Sequence, residues 1–386
     1  MHKKATLVLE NGLVFHGKSI GINGSIIGEL VFNTAMTGYQ EILSDPSYLN
    51  QIITFTFPQI GNTGINTEDE ESYRIHASGI IIHTLTKKSS NYRSQHSLKT
   101  YLIRNNIVGI SNIDTRQITR ILRKLGSQKG CIFTEETESY YSAYQKIKSF
   151  SGLEHKNLTT LVSIKKDYQF SPKKNNDYNK NYTQHLNIAV YDFGIKNNIL
   201  NILHQKKCIS HVFPPESTAE KIINTYKKNK KKLHGIILSN GPGDPRPCIN
   251  ILYEIKKLLS LHIPILGICF GHQLLALANG AVIKKMKSGH HGANHPVKNV
   301  ITNKVIITSQ NHNFTIDINT LPKNIIITHI SLFDTTIQGI ELVNAPAIGF
   351  QGHPESAPGP QDAVYFFDLF IHKIHHLKKQ YNDNYN

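Results

Sequence analysis

Pro264-Ile265-Leu266-Gly267-Ile268-Cys269-Phe270-Gly271-His272-Gln273 passes from an apolar strand through a glycine-flanked turn into a helix ending near Asn279-Gly280. The pattern G-x-C-x-G is a nucleophile elbow. A side chain on a sharp strand-to-helix turn is thrust out of the sheet, and the flanking glycines permit the strained backbone and close approach. The helix N-terminus helps hold the sulfur as thiolate, its reactive form. A buried inert cysteine is the competing reading, and the elbow pattern outweighs it.

On either side of this turn, strands and helices alternate. Residues 187–193, 210–213, 235–239 and 264–268 read as strands, with helical stretches at 195–205 and between the last two strands. Such alternation implies a mostly parallel sheet flanked by helices, with its ligand site beyond the strand carboxyl ends.

A second element is Ala347-Ile348-Gly349-Phe350-Gln351-Gly352-His353-Pro354-Glu355, a strand leading into a polar corner. His353 and Glu355 are two apart, so on extended backbone they point the same way, which suits a base and its orienting carboxylate. Alone the string is weak; with the elbow it becomes a Cys-His-Glu triad. A third element, Leu238-Ser239-Asn240-Gly241-Pro242-Gly243-Asp244-Pro245, closes another strand. Its backbone amides suit a developing oxyanion, although the loop by itself reads equally as a plain turn.

Before residue 134 the chain reads as a β-rich mixed domain. Residues 6–9 and 13–15 flank the turn-like Asn11-Gly12, residues 52–56 and 79–82 read as strands, and 114–125 has helical spacing with Asp114 as N-cap. Residues 12–19, GLVFHGKS, fit the P-loop pattern letter for letter. The intervening residues are bulky and strand-like and no helix follows, so a hairpin is the better reading. Composition collapses to Lys, Asn, Tyr and Gln at about 165–186, the expected linker. Two domains follow, 1–186 including the linker and 187–386.

The formal charge of +16 lies largely in Lys/Asn tracts such as 173–180 and 227–232, which reads as solvated surface or compositional bias, not nucleic-acid binding. No apolar run reaches the ~18 residues of a membrane helix, and no signal-peptide core follows Lys4, so a cytoplasmic protein is expected. Four cysteines without CxxC spacing argue against zinc and against a disulfide scaffold. His290, His291 and His295 lack acidic or thiol company, so no metal site is expected and the histidines are read as building a loop.

These motifs, in this order, resemble the class I (triad) glutamine amidotransferases, as do residues 289–296, GHHGANHP, and 309–314, SQNHNF. The N-terminal half narrows the match. Residues 32–48, FNTAMTGYQEILSDPSY, with 61–64, GNTG, and 109–116, GISNIDTR, are similar to the small-subunit family of the carbamoyl phosphate synthetases.

The resemblance implies Cys269, His353 and Glu355 as catalytic residues and the amides of Gly241 and Phe270 as the oxyanion hole. It implies Ser47, Gly243, Gln273, Asn311, Asn313 and Phe314 as further L-glutamine contacts. It implies a large synthetase subunit as partner, which would bind bicarbonate, ATP and Mg, with no cofactor in this chain. Ammonia would pass to that partner, and carbamoyl phosphate would feed arginine and pyrimidine synthesis. Phe270 stands where Leu is usual and Asn313 where Gly is usual; Asn tolerates positive φ, so the loop is expected to keep its shape. The alternatives are a catalytically silent regulatory or binding subunit and an amidotransferase serving another synthetase.

Overall fold

The computed structural model describes residues 3–135, 137–172 and 185–383. It divides into two compact units. The first comprises Met1–Lys156, Lys285–Asn294 and Ala357–Gly359; the second comprises Asn157–Lys284, His295–Ser356 and Pro360–Asn386.

In the first unit, strands β1 (Lys4–Leu9), β2 (Val14–Ser19), β3 (Ser25–Asn33), β4 (Gln51–Phe55), β5 (Gly79–Ile81), β6 (Val108–Ser111) and β7 (Gln128–Thr134) close a barrel. Its order is β1-β2-β6-β5-β4-β3-β7. The expected hairpin is present, with Leu7 opposite Phe15 and Gly12 at φ 84 in the turn. The P-loop lookalike therefore runs from the hairpin turn into strand β2. Alternate residues Ala5, Leu7 and Leu9 join Leu30, Ile52, Ile81 and Ile132 in one core, as a two-residue period demands. On the other face, Ile53 and Phe55 pack with Tyr39, Ile42 and Leu43 of helix α1 (Tyr39–Ser44) and with Leu98 and Leu102 of α2 (Leu98–Arg104). Helix α3 (Thr115–Leu125) is capped as expected, the Asp114 carboxylate accepting from the Gln117 amide at 2.8 Å. Helix α4 (Tyr140–Ser149) completes the unit.

The second unit contributes β8 (Leu186–Tyr191), β9 (Cys208–Phe213), β10 (Gly235–Leu238), β11 (Ile265–Ile268), β12 (Ile283–Asn299), β13 (Val305–Ile316), β14 (Ile325–Ser331), β15 (Ile337–Leu342) and β16 (Ala347–Phe350). Residues of β12 from Lys285 to Asn294 count with the first unit. The sheet order is β9-β8-β10-β11-β16-β15-β14-β12-β13, with Tyr168–Gln169 added antiparallel beside β9. Strands β9, β8, β10, β11 and β16 are mutually parallel.

Side chains of β8 alternate between two cores. Ile188 and Val190 join Ile199, Leu200 and Leu203 of α5 (Asn197–Gln205) and Phe366, Phe367 and Phe370 of α9 (Tyr365–Asp383). Ala189 and Tyr191 join α6 (Ala219–Lys228), α7 (Ile249–Ser260) and α8 (Phe270–Ala278). Helices thus cover both faces of the parallel sheet, which is why its strands read as continuous apolar runs.

Two expectations need correction. His290, His291 and His295 lie on strand β12, not in a loop. Three consecutive buried residues, His290, His291 and Gly292, erase the alternation by which a strand is recognised. Of the expected linker, residues 173–184 lie outside the described residues, while Tyr168–Gln169 pairs with the sheet edge.

Candidate active site

Parallel register brings three loops to one sheet edge. Leu238 of β10 pairs with Gly267 of β11, and Ile268 of β11 pairs with Phe350 of β16. The segments that follow, starting at Ser239, Cys269 and Gln351, therefore leave the same end of adjacent strands. Cys269 has φ 50 and ψ −102, the strained turn that the elbow pattern requires, and its amide donates to the Phe350 carbonyl at 2.8 Å. The flanking glycines are steric necessities. A Cβ on Gly271 would lie 2.1 Å from the Leu238 carbonyl oxygen, and one on Gly267 would lie 2.7 Å from the Gly271 oxygen.

His353 and Glu355 sit just past β16 in a turn, not on extended chain, and still meet: His353 Nδ1 is 2.6 Å from Glu355 Oε1. The same oxygen is 2.8 Å from Lys196 Nζ. All three side chains are buried, and Asn198 Nδ2 donates to the Glu355 backbone carbonyl. Burial alone would neutralise Glu355, but the Lys196 ammonium and then the imidazole override it and hold the carboxyl below its ordinary range. For His353, burial likewise opposes the charged form; the Glu355 carboxylate and the Cys269 sulfur outweigh it, so imidazolium is favoured. Among the described residues no protein group forms a hydrogen bond to His353 Nε2. Cys269 Sγ itself lies 3.5 Å from the Asn311 carbonyl and 3.7 Å from Gln351 Nε2.

Of the expected glutamine contacts, Gly241, Gly243, Phe270, Gln273, Asn311, Asn313 and Phe314 all belong to the second unit. Gly241 and Phe270 each stand three residues beyond the Leu238–Gly267 pair. Gly241 is held close to Phe193, whose carbonyl oxygen would be 2.5 Å from an added Cβ, and Gly243 has φ 85. Gln273 Nε2 donates to the Phe314 carbonyl at 2.8 Å. Arg246, paired with Asp244, lies 5.4 Å over the Phe314 ring. Asn313 lies on β13 without positive φ, so its tolerance of that conformation is not called upon. Ser47 belongs to the first unit, in the turn Pro46–Tyr48, where the Asp45 carboxylate accepts from its amide at 2.9 Å.

Lys196 and Gln351 have no role that sequence assigns: Gln351 lies inside the His-Pro-Glu segment, and Lys196 offers only a cation at an apolar strand-to-helix junction. Among the described residues no group of three or more His, Cys, Asp or Glu is arranged to hold a metal, and no helix is long and apolar enough to cross a membrane.

Comparison with known proteins finds two family matches. "Carbamoyl-phosphate synthase small chain, CPSase domain" matches residues 7–132, and "Glutamine amidotransferase class-I" matches residues 189–373. Carbamoyl phosphate synthase small chains are similar along nearly their whole length. That of Buchnera aphidicola subsp. Acyrthosiphon pisum is 52% identical, covering 96% of each chain. That of subsp. Baizongia pistaciae is 53% identical over 98% of this chain and 95% of the relative. That of Escherichia coli is 48% identical over 98% and 99%. The chain therefore belongs to the carbamoyl-phosphate synthase small-chain family, with a class I glutamine amidotransferase domain in its C-terminal half.

Proposed function

We propose that Cys269, His353 and Glu355 carry out the glutamine hydrolysis of this small chain and that the ammonia passes to a large synthetase subunit. The observation carrying this reading is the meeting, at one edge of a parallel sheet, of a strained cysteine elbow and a buried His353–Glu355 pair 2.6 Å apart. The Cys269 thiolate attacks the side-chain amide carbon of L-glutamine, and the amides of Gly241 and Phe270 stabilise the oxyanion. The C–N bond breaks as imidazolium His353 gives its proton to the leaving nitrogen. Neutral His353 then takes a proton from water, whose oxygen displaces sulfur from the glutamyl thioester and releases glutamate. Glu355, itself anchored by Lys196, keeps the imidazole oriented throughout.

Gly243, Gln273, Asn311, Asn313 and Phe314 are further glutamine contacts in this reading. Free ammonia at neutral pH is mostly ammonium, which is not nucleophilic, so the product has to reach a second active site without equilibrating with water. The large subunit supplies that site, with bicarbonate, ATP and Mg, in the cytoplasm.

The test is glutamate release from L-glutamine by the full chain, alone and with the large subunit, bicarbonate and ATP. Release that rises with the partner and vanishes in Cys269→Ala is expected. Retained turnover in that variant would overturn the assignment.

A further inference from the structure

We infer that Gln351 is a positioning residue for the nucleophile, its carboxamide N–H holding the Cys269 sulfur in place and favouring its thiolate. This rests on the reading of Cys269 as nucleophile. Gln351 follows Phe350, the register partner of Ile268, so it leaves β16 beside the point where Cys269 leaves β11. It is fully buried, and its amide donates to the Gln338 carbonyl at 2.8 Å.

Hydrogen-bond logic fixes which way the carboxamide faces. The Phe314 carbonyl can only accept, so Gln273 must present its NH2 there, at 2.8 Å. The same nitrogen donates to Gln351 Oε1 at 3.0 Å. With its oxygen engaged by Gln273, Gln351 turns its own NH2 to the sulfur, 3.7 Å away. A further hydrogen-bond contact of Sγ, the Asn311 carbonyl at 3.5 Å, can accept from a thiol but offers nothing to a thiolate. On ionisation, Gln351 is therefore the side-chain amide that gains strength. The charged neighbours of the sulfur are His353 and, behind it, Glu355 and Lys196.

The arrangement also couples two tasks. Gln273, proposed above to bind glutamine, orients Gln351, which orients the sulfur. A substrate that moves Gln273 therefore adjusts the nucleophile.

The experiment follows alkylation of the full chain by iodoacetamide from pH 7 to 10, with Cys269→Ala as the background for the other cysteines, alongside steady-state glutaminase assays. Gln351→Leu removes the donor. Gln351→Glu keeps the acceptor for Gln273 but sets an anionic oxygen beside the sulfur. Both variants should be alkylated more slowly at pH 7–8, on the order of tenfold as expected for one lost bond to a charged group. The deficit should narrow toward pH 10, and kcat should fall more than KM rises. Wild-type alkylation at every pH, or a loss confined to KM in Gln351→Leu alone, would reduce Gln351 to a support for Gln273. Should Gln351→Leu fail to fold, Gln351→Glu decides by the same readouts. If Cys269→Ala still releases glutamate, the nucleophile assignment itself fails; if it is inactive while both Gln351 variants behave as wild type, only the inference about Gln351 fails.

Discussion

Lys196 is a buried cation whose 2.8 Å partner is the carboxylate that orients His353. Removing one member of a buried ion pair leaves the other uncompensated, typically at a cost of roughly 3–5 kcal/mol. Lys196→Met should therefore lower stability by about 3 kcal/mol, read as the urea midpoint. It should also depress kcat, because Glu355 loses the charge that keeps it ionised. A variant with unchanged midpoint and unchanged kcat would show that Lys196 is dispensable. Among single residues, the meeting of His353 and Glu355 was legible because both sit in one dense motif, whereas Lys196 was not. Its partner is brought to it only by the sheet, through the junction between β8 and α5. Gln351 escaped for a different reason: a glutamine beside a His-Pro-Glu string has no chemistry of its own until Gln273 fixes its orientation.

Helix α8 owes its position to glycines. Gly271 lets the helix approach β10 so closely that a methyl group would be 2.1 Å from the Leu238 oxygen. Backbone cannot yield as the tip of a flexible side chain does, so Gly271→Ala must push α8 and the Cys269 turn away from the sheet. We expect a stability loss of about 2 kcal/mol or more and glutaminase activity reduced at least tenfold, measured by denaturation and glutamate release. Full activity would mean that the elbow tolerates the shift. The parallel strands β10, β11 and β16 were readable because each is an apolar run ending in a motif, and β8 because it is an apolar run followed by helical spacing. The barrel was not: its closure depends on β3, β4, β5 and β6 pairing in parallel, and such non-local pairing leaves no mark in any single strand. The strand through His290 and His291 was hidden likewise, since its histidines are buried in succession.

Across the whole chain the surplus of base, +16, contrasts with histidines kept neutral inside. In the first unit His76 is buried, both ring nitrogens lacking a hydrogen-bond partner among the described residues. Burial, with the nearby Arg74 charge, lowers its pKa from 6.5 to about 4 against a weaker opposing pull from Asp45. In the second unit burial alone lowers His329 to about 4. A folded-state pKa below the unfolded one means that the unfolded chain binds more protons in this window. The stability from neutral burial is therefore complete above about pH 6.5 and is lost as pH falls from 6.5 toward 4. His353 works in the opposite sense, gaining stability as pH falls from about 10 toward 6.5, so His76 in the first unit is the cleaner probe. Urea unfolding of the wild-type chain should be easier at pH 5.0 than at pH 7.5, with His76 responsible for about 1–2 kcal/mol of the difference. His76→Leu introduces no titrating group and fills the site with apolar atoms, so its own difference between the two pH values should be smaller by that amount, whatever its absolute stability. An identical pH difference in wild type and variant would mean that His76 is protonated in the folded chain, and that burial without a partner does not keep it neutral.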